Sequence, residues 1–264
     1  MSVPGHPPII FDLGTGLRYF GRSQPTDGSF RGVCLLSHLH WDHTQGLPFF
    51  VPILRDGAHL DVYAPTQESG KSVHDSFCTF MQPPHFPIEL SHLPGNVHFH
   101  DIGDDEFDLG EIHVMARLIP HIGNTLGFRV TWRGRSVAYL SDHQQPSDGS
   151  FSLAPGAREL MEGADLVIHD AQYTQPEFAY KSDWGHCTTE FAVWAAAESH
   201  ARTLALFHHD PMRSDDDLDD LLACMKKMGS RRDLAVVAAS AWLKPFGARV
   251  KAFETAFNAG FRPK

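Results

Sequence analysis

Ser37-His38-Leu39-His40-Trp41-Asp42-His43 places three imidazoles and one carboxylate within six residues, directly after the apolar stretch Val33-Cys34-Leu35-Leu36. A strand ending at Ser37 turns His38 and His40 to the same side, because side chains of an extended chain alternate with a period of two. Asp42 and His43 fall where the chain must turn, since Gly46 and Pro48 follow shortly. Imidazole nitrogens and carboxylate oxygens suit borderline divalent ions such as zinc. Four such groups exceed what one open catalytic zinc needs, and two ions sharing a site account for them better. The bland alternative is a polar surface loop that happens to be histidine-rich. Its tight spacing, and distant partners that can complete the shells, argue against that.

These residues match the His-x-His-x-Asp-His signature, and the chain resembles the metallo-β-lactamase superfamily along most of its length. Further matches follow in family order. Pro120-His121 precedes Asn124-Thr125-Leu126-Gly127-Phe128-Arg129, similar to the third-histidine segment. Tyr139-Leu140-Ser141-Asp142 is similar to the strand that ends in the bridging aspartate, and Leu206-Phe207-His208 to the late strand ending in the last histidine. Carried over position by position, the resemblance implies that His38, His40 and His121 hold one metal. It implies that Asp42, His43 and His208 hold the other and that Asp142 bridges them. The implied cofactors are two divalent ions, zinc first, with manganese or iron as alternatives. His209 adjoins His208, but an extended chain points it to the opposite side, so it is read as a supporting or structural residue.

The elements that must position these groups are legible as apolar runs separated by turn signals. Strands are expected at 9–12, 33–37, 60–63, 97–100, 112–118, 126–132, 137–141, 166–169 and 204–208. A helix is expected from 189 to about 200, with Thr188 as N-cap and alanines that favour helix. Another is expected over 215–228, with Ser214 and Asp217 forming a capping box and Gly229 as the stop. The run Asp215-Asp216-Asp217 reads as first-turn carboxylates favoured by the helix dipole rather than as a metal site. Gly14-Thr15-Gly16 lacks the lysine and glycine spacing of a phosphate loop and reads as a tight turn near the floor of the site.

Mixed strands and helices place the chain in the α/β class. The resemblance implies more: a four-layer αβ/βα metallo-β-lactamase sandwich, built as a single domain over 1–264, with the metals at one edge. Relatives usually carry a further strand or two before the segment like Ile9-Ile10-Phe11-Asp12. The expectation is therefore that the outer strand is absent or that the start was placed too late.

Two metals roughly 3.5–4 Å apart can hold a hydroxide between them and aim it at an electrophile, while neutralising charge on substrate oxygens. The superfamily uses this on β-lactams, thioesters, lactones and phosphodiesters, so the motif implies hydrolysis and not a substrate. Ile168-His169-Asp170-Ala171-Gln172-Tyr173, followed by Trp184-Gly185-His186-Cys187-Thr188, narrows the choice. These segments resemble paired motifs of ribonuclease Z and related phosphodiesterases, where an acidic residue orients a histidine facing the metals. Here those are Asp170 and His186, which join Asp42 as candidate catalytic residues. A packing role at a helix N-terminus is the alternative for His186.

Departures from that branch matter. Ribonuclease Z typically carries glutamate at the position of Asp170 and serine at that of Cys187. No long Gly-rich, basic arm suited to transfer RNA is present. The stretch Phe80-Met81-Gln82-Pro83-Pro84-His85-Phe86-Pro87 stands before the third histidine instead, and reads as a pocket cover or an ordinary packed loop. A small phosphodiester or cyclic nucleotide therefore fits better than transfer RNA. The alternatives are a carboxylic ester, lactone or thioester hydrolase on the same site, a catalytically silent metal-binding sensor, and iron-based chemistry.

Composition sets outer bounds. A chain of 264 residues, 42% hydrophobic, can bury a sizeable core. A formal net charge of −10 disfavours extended nucleic-acid binding, which depends on many Lys and Arg contacts to phosphate. Two dications would reverse the local sign, so a small anionic substrate remains compatible. No apolar stretch approaches the roughly 20 residues that cross a bilayer, and the N-terminus lacks the features of a signal peptide. The expectation is a cytoplasmic protein with no membrane partner, for which a homodimer is a compatible assembly. Four cysteines without a Cys-x-x-Cys pair are expected as reduced, packed thiols, Cys187 included. His59, His74, His92, His98, His100, His113 and His200 are expected in surface or core roles, and His143 beside Asp142 near the metals.

Overall fold

The computed structural model describes residues 1–239, and the single domain expected over 1–264 extends into 240–264, which lie outside the described residues. Backbone contacts gather the chain into two compact units, Met1–Gly103 and Asp104–Lys264.

In the first unit β1 (Ile9–Phe11), β2 (Arg31–Leu35), β3 (His59–Pro65) and β4 (Asn96–Ile102) form a sheet in that order, every neighbouring pair parallel. Parallel neighbours need a crossover between them. Here α1 (Leu17–Phe20), α2 (Trp41–Thr44) and α3 (Val73–Phe80), with short 3-10 turns, supply it. Leu17, Leu47, Phe50, Ile53, Val73 and Phe77 from these crossovers pack with Cys34, Leu60, Val62 and Ala64 of the sheet. The period of two then puts His59, Asp61 and Tyr63 on the other face of β3. Because β1 and β2 run the same way, Asp12 and His38 emerge at the same edge of the sheet.

The second unit holds a seven-stranded sheet in the order β11-β10-β9-β8-β7-β6-β5. β5 (Asp105–Leu109), β6 (Ile112–Leu118), β7 (Leu126–Trp132) and β8 (Arg135–Leu140) form an antiparallel meander. The two-residue turn Arg133-Gly134 between β7 and β8 has both φ values positive, 48° and 74°. That is the turn whose twist suits adjacent strands. β9 (Leu166–Asp170), β10 (Thr203–Phe207) and β11 (Ala235–Ala238) then add in parallel to β8. The intervening helices are α4 (Pro155–Met161), α5 (Gln175–Lys181), α6 (Thr189–Glu198) and α7 (Asp215–Ser230). Leu160 of α4, Phe191 and Ala195 of α6 and Met225 of α7 pack with Leu140, Val167, Leu204 and Val236 of the strands. Parallel β8, β9 and β10 deliver Asp142, Asp170 and His208 to the same carboxyl edge, the edge at which open α/β sheets hold ligands.

All nine expected strands form, with ends shifted by a few residues; the second stops at Leu35 rather than Ser37, so Ser37 and His38 stand beyond it. β5 and β11 are additional. The sequence Asp-Glu-Phe-Asp-Leu of β5 is too charged to signal a strand, and pairing with β6 imposes one. α3 also escapes sequence reading, because Val, Thr, Ser and Phe are mediocre helix formers. Ser72 caps it by accepting from the Asp75 amide, and Val73 and Phe77, one turn apart, bury its inner face. The capping box at Ser214 and Asp217 is present. Gly229 does not stop α7, which runs on to Ser230. A Cβ at Gly229 would lie 2.8 Å from the carbonyl oxygen of Leu234 and 2.5 Å from Val236, so glycine here permits close approach of the chain entering β11. Among the described residues no helix is long and apolar enough to cross a membrane.

Candidate metal centre

In the first unit the signature residues begin beyond β2. Asp12 leaves β1 with φ of +60° and accepts the Ser37 amide at 2.6 Å. Its other oxygen meets His43 Nδ1 at 2.7 Å. A neutral His43 therefore keeps its proton on Nδ1, and the lone pair on Nε2 faces Asp42 Oδ2 at 3.1 Å. His38 is buried, with Nδ1 3.0 Å from Ser37 Oγ and Nε2 2.8 Å from His40 Nδ1. Only one proton can stand between those two nitrogens. The turn holding Asp42 and His43 is tied down by backbone bonds from Leu13 N to His43 O and from Gly46 N to Leu13 O. Gly14 matters here, because a Cβ would sit 2.4 Å from the Asp42 carbonyl oxygen. The Gly14-Thr15-Gly16 segment thus supports the turn that carries Asp42 and His43.

The second unit repeats this logic. His121 Nδ1 lies 2.7 Å from the Gly185 carbonyl oxygen, to which it must donate. Its Nε2 lone pair then faces Asp142 Oδ2 at 3.7 Å. His208, with φ of +51° just past β10, donates from Nδ1 to Gln172 Oε1 at 3.0 Å and turns Nε2 toward Asp142 Oδ1 at 3.5 Å. Asp142 is 2% exposed. A buried carboxylate flanked by two imidazole nitrogens is a donor set that suits a cation. Fixing each ring through its other nitrogen is how metal-binding histidines are usually oriented. The donor set in each unit therefore fits divalent ions.

Asp170 and His186 come together as the sequence suggests. Asp170 is fully buried, and its Oδ2 lies 2.7 Å from His186 Nδ1. Its Oδ1 accepts the amides of Gln172 at 3.0 Å and Cys187 at 3.3 Å, locking the carboxylate. The His186 ring stacks on His208 at 5.0 Å with planes 15° apart. Asp142, His186 and His208 offer ligand-type atoms within 4.8 Å of one another. The loop carrying His186 is held by Tyr173 N to Cys187 O and Thr189 N to Tyr173 O, and Thr188 caps α6.

His143 and His169 are both buried, and burial pushes both imidazoles below their usual range. His143 Nδ1 meets His169 Nε2 at 2.7 Å, while His169 donates from Nδ1 to the Asp170 carbonyl at 2.8 Å. They form a neutral chain behind Asp170. Cys187 is a packed thiol raised by burial and by Asp170, and it donates to the Asp170 carbonyl. Burial also lowers His209. The segment 80–87 packs Phe86 against the first unit's core and against Phe49 at 6.3 Å, edge to face. Sequence reading missed Asp12, Gln172 and Gly185. All three stand in segments singled out from the sequence, but their roles depend on a fold-dependent approach to His43, His208 and His121 respectively.

Gly185 yields a sharp expectation. Its φ is +92° and a Cβ there would lie 2.5 Å from His121 Nδ1. Gly185→Ala is expected to cost roughly 1–2 kcal/mol for the left-handed backbone and to displace His121, lowering metal affinity about 10–100-fold. Metal titration together with thermal unfolding measures both; wild-type affinity in the variant would refute this role for Gly185.

Residues 10–209 match the family described as the beta-lactamase superfamily domain. The chain belongs to the metallo-β-lactamase superfamily. It is 32% identical over 266 residues to ribonuclease Z of Brevibacillus brevis, covering 81% of this chain and 80% of the relative. Its structure is similar to the metallo-β-lactamase fold protein YhfI of Bacillus subtilis, with a TM-score of 0.64, 18% identity and coverage of 89% and 85%. It is also similar to the short form of human tRNase Z, with a TM-score of 0.65, 20% identity and coverage of 92% and 89%. The fold is thus the metallo-β-lactamase fold of the α/β class, and the chain is a metal-dependent hydrolase of that superfamily.

Proposed function

We propose that this hydrolase is a dinuclear phosphodiesterase acting on a small phosphodiester such as a cyclic nucleotide, its two units serving as one domain. His38, His40 and His121 hold one divalent ion, Asp42, His43 and His208 the other, and Asp142 is shared. Zinc suits this nitrogen and oxygen set, with manganese or iron as alternatives. When bound, the ions supply Lewis acidity and a nucleophile at neutral pH. Asp42 accepts a proton from the attacking water. His186, held through Nδ1 by Asp170, presents Nε2 to the substrate, where its proton stabilises charge on phosphate oxygens or passes to the leaving oxygen.

The observation that carries this reading is the Asp170–His186 pair at 2.7 Å, stacked on His208. A buried carboxylate that fixes one imidazole by Nδ1 and leaves its Nε2 for the substrate serves a reaction with a poor alkoxide leaving group. Likeness to ribonuclease Z supports phosphodiester chemistry, while a net charge of −10 supports a small substrate over a polyanion.

The test is a turnover screen on protein of defined metal content, using cyclic nucleotides, bis-p-nitrophenyl phosphate, a transfer-RNA precursor, lactones and thioesters. Cyclic nucleotide turnover with kcat/KM above that for the RNA is expected. A preference for the RNA would overturn the small-substrate reading. Lactone or thioester turnover without phosphodiester turnover would move the chain to carboxyl ester chemistry, and binding of metals without any turnover would make it a sensor.

A further inference from the structure

A second cluster of metal-ligand side chains stands on the first unit's sheet, apart from the signature motif. β3 and β4 pair in parallel with Asp61 opposite His98 and Tyr63 opposite His100. Leu60, Val62, Val97 and Phe99 go to the core, so the pleat sends His59, Asp61, Tyr63, His98 and His100 to the other face. Asp61 Oδ1 lies 2.9 Å from His100 Nε2 and 3.5 Å from His98 Nδ1. His59 Nε2 holds the other oxygen, Oδ2, at 3.0 Å. His100 stacks on Tyr63 with ring centroids 4.2 Å apart and planes 8° apart, which fixes the direction of its Nε2. Ligand-type atoms of Asp61, His98 and His100 lie within 4.8 Å of one another.

We propose that Asp61, His98 and His100 form a third divalent-cation site, suited to zinc or another borderline transition ion. Two imidazole nitrogens and one carboxylate oxygen make three protein ligands, the number that leaves a coordination position for water. His59 is the supporting partner that steadies the carboxylate. A dication can displace the protons shared between these nitrogens and Asp61 and release them to solvent. The Asp61 carboxyl is raised by burial, but hydrogen bonding to His100 and the charges of His59 and His100 outweigh this and hold it below its usual range, ready as an anionic ligand. His98 is 62% exposed, so an ion can enter and leave. An exchangeable site of this kind takes up metal without belonging to the hydrolytic centre.

The test loads full-length wild-type protein and the His98→Ala/His100→Ala double variant with zinc, removes loose ion by dialysis and counts bound zinc by mass spectrometry. The wild type should hold about one equivalent more than the variant. Anomalous scattering at the zinc edge should place that ion at Asp61 in wild-type crystals. Asp61→Asn should weaken uptake of this ion roughly 10–100-fold. Turnover in the double variant should stay at the wild-type level, which separates this site from the proposed catalytic ions. Equal stoichiometry in wild type and variant, with matching circular dichroism, overturns the proposal. So does an anomalous map with zinc only at the signature residues.

Discussion

Asp142→Ala is expected to abolish measurable turnover, whereas His209→Ala should retain a substantial fraction of it. Asp142 sits 2% exposed, with His121 Nε2 3.7 Å from one oxygen and His208 Nε2 3.5 Å from the other. Each ring has its proton committed on the far side, to the Gly185 carbonyl and to Gln172. Removing the carboxylate leaves those lone pairs without the anion shared by the proposed ions. Lewis-acid stabilisation is worth several kcal/mol, which corresponds to roughly a thousandfold or more in rate. His209 follows His208 on the chain, and burial lowers its imidazole. Its loss should cost no more than the 10–100-fold typical of a residue that supports a ligand. Steady-state rates at matched metal occupancy make the comparison. Equal losses in the two variants would exchange the roles given to His208 and His209.

How much of this could be read from sequence depends on whether the information is local. The signature at 38–43, the nine strands and the caps at Thr188 and Ser214 are written in short windows of residue type and spacing; the caps form, and the strands form with shifted ends. The pairing of Asp170 with His186 was legible only through likeness to a known branch, since 16 positions separate them. What stayed hidden depends on approach between distant segments. Gly185 is required because the His121 ring comes to its backbone across 64 positions. Asp12 matters because β1 and β2 end side by side and bring it to His43, 31 positions on. The Asp61 cluster was invisible for the same reason: a register that sets Asp61 against His98 cannot be inferred from either strand alone. Gly229 shows the converse error. Its residue type suggested a helix stop, but the neighbouring chain, not the helix, needs the missing side chain.

His186→Ala should lower kcat on an alkyl phosphodiester about 10²–10⁴-fold, the usual range for general acid catalysis, while leaving metal content unchanged. Asp170 is fully buried and holds His186 Nδ1 at 2.7 Å, so the proton available for transfer is the one on Nε2. A ribose oxygen leaves as a strongly basic alkoxide unless it is protonated, and its departure should suffer most. p-Nitrophenolate departs without a proton, so bis-p-nitrophenyl phosphate should lose little. A purely electrostatic role for His186 would depress both substrates alike. Asp170→Asn should reproduce part of the leaving-group effect, because an amide still reaches His186 but lacks the carboxylate's negative charge. The Asp170 carboxylate also anchors the amides of Gln172 and Cys187, so circular dichroism and metal content must accompany the kinetics. The decisive quantity is the ratio of the mutant effects on the two leaving groups. A ratio well above one assigns the proton to His186. A ratio near one with both rates depressed makes it a charge stabiliser, and unchanged rates on both would reduce His186 to packing against His208.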